Sequence, residues 1–361
     1  MLNTLHRLYY TTWGGIHKNR HLPYMLHGFS MLALPHWWTE RQREGLLRQF
    51  DRLSAQEQTE VLRRVDYYCR LDETATLPAD APTLGEQRYR HKTYPTAYFF
   101  DTYEWNRYFP SHLHWSLTPG DVNFLLPHPS ITKSRPIAEA AVNRNSVLMK
   151  LNKVRHFIFF RDPYRTEQKA DSVIFRGAVH GKPQRAVFFE RFFHEPGFDL
   201  QDTSTNSVYN EEMRLRHETS IYDHLTHKYI MCLEGNDVAS NLKWVMHSNS
   251  LAVCPRPTME TWFMEGTLVP NEHFIEVKPD FTDLPERIDY YNSHPAEAAD
   301  IVANAHEYCR TFLDKRMERL VSLMVMDKYF RMTKAAIKRE ESQARLNFPE
   351  REQARPKVNK E

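Results

Sequence analysis

The residues whose types and spacing best suit chemistry lie between His227 and Leu284. An apolar run, Tyr229 to Leu233, stops at Glu234-Gly235-Asn236-Asp237, and Ala239-Ser240-Asn241-Leu242-Lys243-Trp244 follows in a helical pattern. That order predicts a strand running into a helix over residues 238–247. Unpaired backbone N–H groups and the positive end of the helix dipole would gather at such a start. Ser240, Asn241 and Lys243 add side-chain donors in the first turn, a set that holds a diphosphate. The plainer alternative is that Asn236 or Asp237 only caps a structural helix.

Two more strand ends carry polar residues of complementary use. Asp171 to Phe175 leads into Arg176-Gly177, and Ser250 to Cys254 ends at Pro255, with Glu260, Trp262 and Glu265 beyond it. Open α/β sheets bind ligands at the carboxyl ends of their strands. A guanidinium, a helix start and one or two carboxylates converging there suit a nucleoside diphosphate. Cations and N–H groups take the phosphates, and Glu260 or Glu265 accepts from the ribose hydroxyls.

The elements that must position these residues alternate. Strand patterns at 156–160, 171–175, 229–233, 250–254 and 273–277, with helical patterns at 184–193 and 238–247 between them, predict an α/β fold with a parallel sheet. Upstream, Leu46, Leu47, Phe50 and Leu53 mark one helix. A capping box at Ser54 to Glu57 then opens a second, carrying Val61, Leu62, Val65 and Tyr68. Residues 71–96 read as an irregular connection. The aromatic run Tyr98, Phe99, Phe100, Tyr103, Trp105, Tyr108 and Phe109 is either core or a sugar-stacking platform. From Pro295 a helix begins, and Leu313, Met317, Leu320 and Met324 continue an apolar stripe. The expected division is 1–155, 156–312, a helix over 313–340 and a mobile basic tail over 341–361.

Composition narrows the class. With 361 residues and a hydrophobic fraction of 41%, the chain can build two packed cores. A formal net charge of +2 provides no broad field for nucleic acid, so no nucleic-acid partner is expected. Cys69, Cys232, Cys254 and Cys309 are dispersed, and Cys232 and Cys254 fall in apolar strand runs. They read as reduced thiols of a cytoplasmic protein. No signal peptide or membrane span is expected. Tyr9, Tyr10, Trp13, Trp37 and Trp38, with the basic tail, are candidates for peripheral contact with the inner face of an inner membrane. The run from Gly177 to Lys182 has one spacer too few for a Walker A loop, and Pro183 stands where the Mg²⁺-binding hydroxyl belongs. His112 and His114 have no second cluster with zinc spacing, so no metal site is expected.

Several segments in fixed order resemble glycosyltransferase family 90. They are Phe175-Arg176-Gly177, Lys228 through Gly235, Ala239 to Trp244, Ser248 to Leu251, Leu268-x-Pro270, His273-Phe274-Ile275-x-Val277 and Asp280-x-x-Asp283-Leu284. Lys133 to Ile137, Asn145 to Leu148 and Arg155-His156-Phe157 look most like its bacterial lipopolysaccharide branch. The resemblance covers roughly residues 119–313. It implies a GT-B arrangement of two facing Rossmann-like domains, the last helix returning to the first. It also implies inverting transfer of a hexose or pentose from a UDP-sugar donor to a lipopolysaccharide core or related glycan, with no cofactor or metal. No Asp-x-Asp pair occurs, in keeping with a metal-free donor site. Arg176, Lys243, Lys133 and Arg135 are then the candidate phosphate cations. Where the family's eukaryotic protein O-glucosyltransferases have an arginine after the glycine, this chain has Asn241.

The family's base is an aspartate at a strand end in the first domain. Here the matching strand reads as Val122 to Leu126, followed by His128 and no acid. Asp121, His128 and Asp162 are the candidates, and the sequence does not choose among them. The rivals are a glycan-binding or assembly protein that has lost its base, and a transferase with a protein acceptor.

Overall fold

The computed structural model describes residues 4–5, 8–9, 21–72, 75–87, 93–214 and 219–346, with side chains through Thr333. Helices α1 (His21–Ala33), α2 (His36–Leu47), α3 (Ala55–Tyr68), α4 (Leu84–Gln87) and α5 (Thr96–Asn106) open the chain. The capping box forms: Ser54 Oγ accepts from the Glu57 N–H, and the Glu57 carboxylate accepts from the Ser54 N–H. Val61, Val65 and Tyr68 of α3 are buried, whereas Leu62, a quarter-turn aside, stays exposed. All seven aromatics of the 98–109 run are buried, so that run is core rather than a sugar platform.

Strands β1 (Leu117–Thr118), β2 (Ser130–Thr132), β3 (Ser134–Pro136) and β4 (Ser146–Leu148) follow, then α6 (Lys153–His156). β1, β2 and β4 make a small parallel sheet. The expected strand at 122–126 does not form. β1 instead ends earlier, and the chain turns through Gly120 at φ +94°, so 122–126 leaves the sheet with Phe124 and Leu125 exposed. The expected strand at 156–160 is also absent. α6 takes its start, and Phe159 and Phe160 pack on His247 and Trp244 rather than pairing.

The second half is β5 (Ala170–Gly177), α7 (Pro183–Phe192), β6 (Phe198–Asp202), α8 (Ile221–His224), β7 (His227–Met231), α9 (Leu242–Met246), β8 (Leu251–Cys254), β9 (Met259–Thr261) and β10 (Ile275–Glu276). Five of these strands form a parallel sheet in the order β10-β8-β7-β5-β6, and β7 and β8 are apolar and buried throughout their middle, as strands covered on both faces must be. The chain leaves β5 on one side to make β6, then returns to the other side to make β7. The crevice between the carboxyl ends of β5 and β7 is therefore the topological switch point.

α9 is five residues long, not the ten expected, because the Asn241 amide donates to the Met231 carbonyl at 2.9 Å and holds 235–240 as connecting turns. β3 pairs antiparallel with β9 and ties the small sheet's half of the chain to the large sheet's half. α10 (Leu284–Ser293) and α11 (Pro295–Arg310) lead to α12 (Lys315–Leu346), which packs on α2, α3 and α5. The helix runs on through residues 341–346, which the sequence pattern assigns to the tail. Tyr10, Trp13 and residues 347–361 lie outside the described residues. Among the described residues no helix is long and apolar enough to cross a membrane, and all four cysteines are buried and free.

Candidate functional site

The switch-point crevice is occupied by Arg185, a residue the sequence did not single out. It sits in the first turn of α7, where Pro183 fixes the helix start. Its Nη1 donates to the Ala178 carbonyl beyond β5 at 2.9 Å; Nη2 and Nε donate to the Leu233 and Glu234 carbonyls beyond β7 at 2.7 and 2.9 Å. Arg185 thus bridges both strand ends, and no carboxylate pairs with it among the described residues. Burial and the nearby charge of Arg155 push its guanidinium down to about 10, so it stays charged near neutrality. Gly177 and Gly235 make room for it: a Cβ on either would stand 3.1 Å from an Arg185 nitrogen, and on Gly177 also 2.7 Å from the Phe175 ring. Those two glycines at two strand ends were the signal available in the sequence.

Facing this crevice is Asp121. It follows β1 by three residues, at a strand end of the first half. Lys133 donates to its Oδ1 at 2.5 Å, and the Asn236 amide donates to its Oδ2 at 3.2 Å. Lys133 also lies 2.7 Å from Asp237. The Asn123 amide donates to the Asn236 carbonyl at 2.9 Å, and Lys182, just before α7, contacts the Asn236 side chain. One acid of the first half is thereby fixed to the turn after β7. The Lys133 and Asn236 bonds outweigh desolvation and hold the Asp121 carboxyl below its ordinary value. It is one-third exposed, open enough to meet a ligand.

Most other sequence candidates are engaged elsewhere. Arg176 Nη2 donates to both carboxylate oxygens of Asp199 at 2.7 Å and Nη1 to the Asp199 carbonyl at 2.7 Å, which directs the side chain away from the carboxyl ends. Lys243, fully buried, pairs with Glu265 at 2.7 Å, and Glu265 also accepts from the Thr261 N–H. Arg135 and Glu260 pair at 2.7 Å across the β3–β9 ribbon, with Tyr67 and Arg70 also on Glu260. A buried cation held by a buried acid cannot turn to a phosphate without stranding its partner, so these pairs are structural. Glu260 and Glu265 are likewise closed to a ribose. Lys133 is buried between two aspartates rather than presented to a diphosphate.

Asp162 is 2% exposed, paired with Lys169 at 2.9 Å and accepting the Tyr164 and Asn249 N–H groups. It pins loops together, and its buried side chain is closed to a substrate proton. His128 is half-buried and makes none of the cluster's contacts. Ser240 is half-buried and Ala239 buried in the turns before α9. A narrow crevice lined by Glu234, Val238, Ala239, Pro255 and Met259 opens at the ends of β7 and β8. Glu234 accepts there from Thr258 and Met259.

A cavity of about 510 Å³ lies at the opposite edge, against the amino ends of β5 and β6 and α10. It is distant from the charged cluster, and the edge rule for α/β sheets favours the carboxyl side. Among the described residues no three His, Cys, Asp or Glu side chains gather as a metal site.

A parallel sheet carries a guanidinium at its switch point, and a carboxylate beyond the end of β1 faces it, an α/β arrangement with charged groups gathered at the carboxyl edge. The profile of Glycosyl transferase family 90 matches residues 162–355. The chain is 35% identical over 322 residues to the O-glucosyltransferase LpsA of Dichelobacter nodosus, covering 88% of this chain and 98% of that protein. It is also 30% identical over 125 residues to uncharacterized protein 035R of Invertebrate iridescent virus 3, covering 34% of this chain and 11% of that one. The chain belongs to glycosyltransferase family 90.

Proposed function

We propose that this glycosyltransferase moves a glucosyl group from UDP-glucose, with inversion, onto a hydroxyl of a lipopolysaccharide core or related surface glycan. The observation that carries this reading is the pairing of an acid-free guanidinium at the switch point with a carboxylate facing it from the other half. Asp121 removes the acceptor's proton as the hydroxyl oxygen bonds to C1 of the sugar. The bond from C1 to the β-phosphate oxygen breaks, and UDP departs with its added charge facing Arg185 and Arg155. Cationic side chains thus take the work a metal would otherwise do on the diphosphate. Two facing α/β domains closing on the donor fit this scheme. The glucosyl choice rests on the name of the Dichelobacter relative.

The rival of a glycan-binding protein without a base started from a first half lacking an acid at a strand end. Asp121 beyond β1 supplies one. Leu22, Leu26 and Phe29 on the outer face of α1, with Trp37 and Trp38 of α2, are exposed and support contact with the lipid surface that bears the acceptor. Loss of vesicle sedimentation in Leu26→Ser/Phe29→Ser would support that contact; undiminished sedimentation would count against it.

A thermal-shift screen against UDP, GDP, CMP, ADP and their sugar conjugates tests the donor. Ligand at one hundred times Kd stabilises by about 2.7 kcal/mol. A shift specific to uridine nucleotides that survives EDTA is expected; no shift with any nucleotide would overturn the proposal.

A further inference from the structure

Lys133 is buried to 1% exposure, yet its ammonium touches two carboxylates from different halves of the chain. It stands on the link between β2 and β3, and it reaches Asp121 beyond β1 and Asp237 beyond β7. Resting on the assignment of Asp121 as base, we infer that Lys133 is a positioning residue: it holds that carboxylate aimed against the turn that borders the donor crevice.

Geometry gives three reasons. First, both acids lie within 2.7 Å of one nitrogen, so without the cation two carboxylates would face each other and Asp121 would swing toward water. Secondly, the second oxygen of Asp121 is fixed by Asn236, whose own carbonyl is held by Asn123 and whose side chain meets Lys182. The turn Gly235-Asn236-Asp237 therefore touches the base, and its first residue packs on Arg185. Thirdly, Gly120, just before the aspartate, has φ +94° and its carbonyl accepts from Tyr98 Oη at 3.2 Å, so the backbone approach is set as well.

The charges around Asp121 are Lys133 from the β2–β3 link, Asp237 from the turn after β7, Arg155 from α6 and, in neutral form, Tyr98 from α5. Lys133 is the cation in direct contact with it. Its presence depresses the Asp121 carboxyl, so the base is ionised down to lower pH than an ordinary aspartate. Removing Lys133 raises that carboxyl, and activity at the acid end is lost first.

The test is the pH profile of kcat/KM for UDP-glucose turnover in Lys133→Met, Lys133→Arg and Asp121→Asn, with UDP affinity measured by calorimetry on each. Lys133→Met should keep UDP affinity within about twofold. Its acid limb should move up by about one pH unit, a tenfold change in proton concentration, with Lys133→Arg closer to wild type. Should Lys133→Met not fold, Lys133→Met/Asp237→Asn removes the charge pair together and must show the same upward limb. An inactive Asp121→Asn beside an unshifted profile in the lysine variants overturns the positioning role alone. Full turnover in Asp121→Asn overturns the base assignment, and the role of Lys133 with it.

Discussion

Arg185→Ala tests the donor site at its most exposed assumption. A guanidinium has five N–H groups, and three are spent on the carbonyls of Ala178, Leu233 and Glu234. Two remain, one on each Nη nitrogen, enough for one forked contact to a phosphate. Hydrogen bonds to charged groups contribute about 1.5–3 kcal/mol, so alanine should weaken UDP about 10- to 150-fold. Uridine, which lacks the phosphates, should bind with affinity changed by no more than about twofold on the same argument.

The substitution also strands three carbonyls, and losing such partners costs on the order of 1–3 kcal/mol of stability. Apo melting temperatures of wild type and variant separate that cost from binding. Calorimetric titration of UDP and uridine into folded Arg185→Ala and Arg185→Lys is the assay; the lysine should recover part of the UDP affinity, since charge returns without the fork. Equal loss of UDP and uridine affinity would mean that Arg185 only shapes the pocket. Unchanged UDP affinity would refute its phosphate role outright.

Lys243→Ala should act on folding and not on donor binding. Stranding Glu265 in the interior costs about 3–5 kcal/mol, visible as a lower urea midpoint, while UDP affinity of the folded protein is kept; a selective loss of UDP binding would return Lys243 to the donor site. Glu318→Ala should destabilise on the same scale, about 3–5 kcal/mol, because Glu318 of α12 holds Arg64 of α3 at 2.5 Å and Lys150 at 2.7 Å and accepts from the Trp262 indole. A midpoint within error of wild type would show those cations finding other partners. His224 is buried and neutral, its pKa pushed down to about 4 by desolvation. Its depressed folded value means that the unfolded chain takes up a proton first as pH falls below about 6.5, so stability is lost by up to about 3 kcal/mol between there and pH 4. His224→Gln should flatten that segment of the urea stability profile; an identical slope would contradict it.

Much of the second half was legible because strand and helix periodicity there is strong. β5, β7, β8 and α7 fall close to where the pattern puts them, and the capping box at Ser54 opens α3 as its spacing requires. Apolar runs misled where nothing was available to pair with them. Val122 to Leu126 has strand composition, but β1 had already ended before Gly120, and that displacement kept the sequence from choosing Asp121, at the true strand end, over His128 and Asp162. The cations show a different limit. Sequence reveals charge but not burial, so Arg135, Lys243 and Arg176 read as phosphate ligands when Glu260, Glu265 and Asp199 neutralise them. Arg185 was hidden for the opposite reason: its carbonyl partners at 233 and 234 lie almost fifty residues away and carry no side-chain signature. Only the two glycines that clear its path, Gly177 and Gly235, mark the place.

The most direct measurement is UDP-glucose turnover by Asp121→Asn alongside its UDP affinity, with acceptor glycan present and EDTA throughout. The account predicts UDP affinity unchanged within about twofold and turnover reduced by about 10²–10⁴, the contribution of a positioned general base. Turnover near wild type would contradict the central claim that a carboxylate of the first half works across the crevice from Arg185.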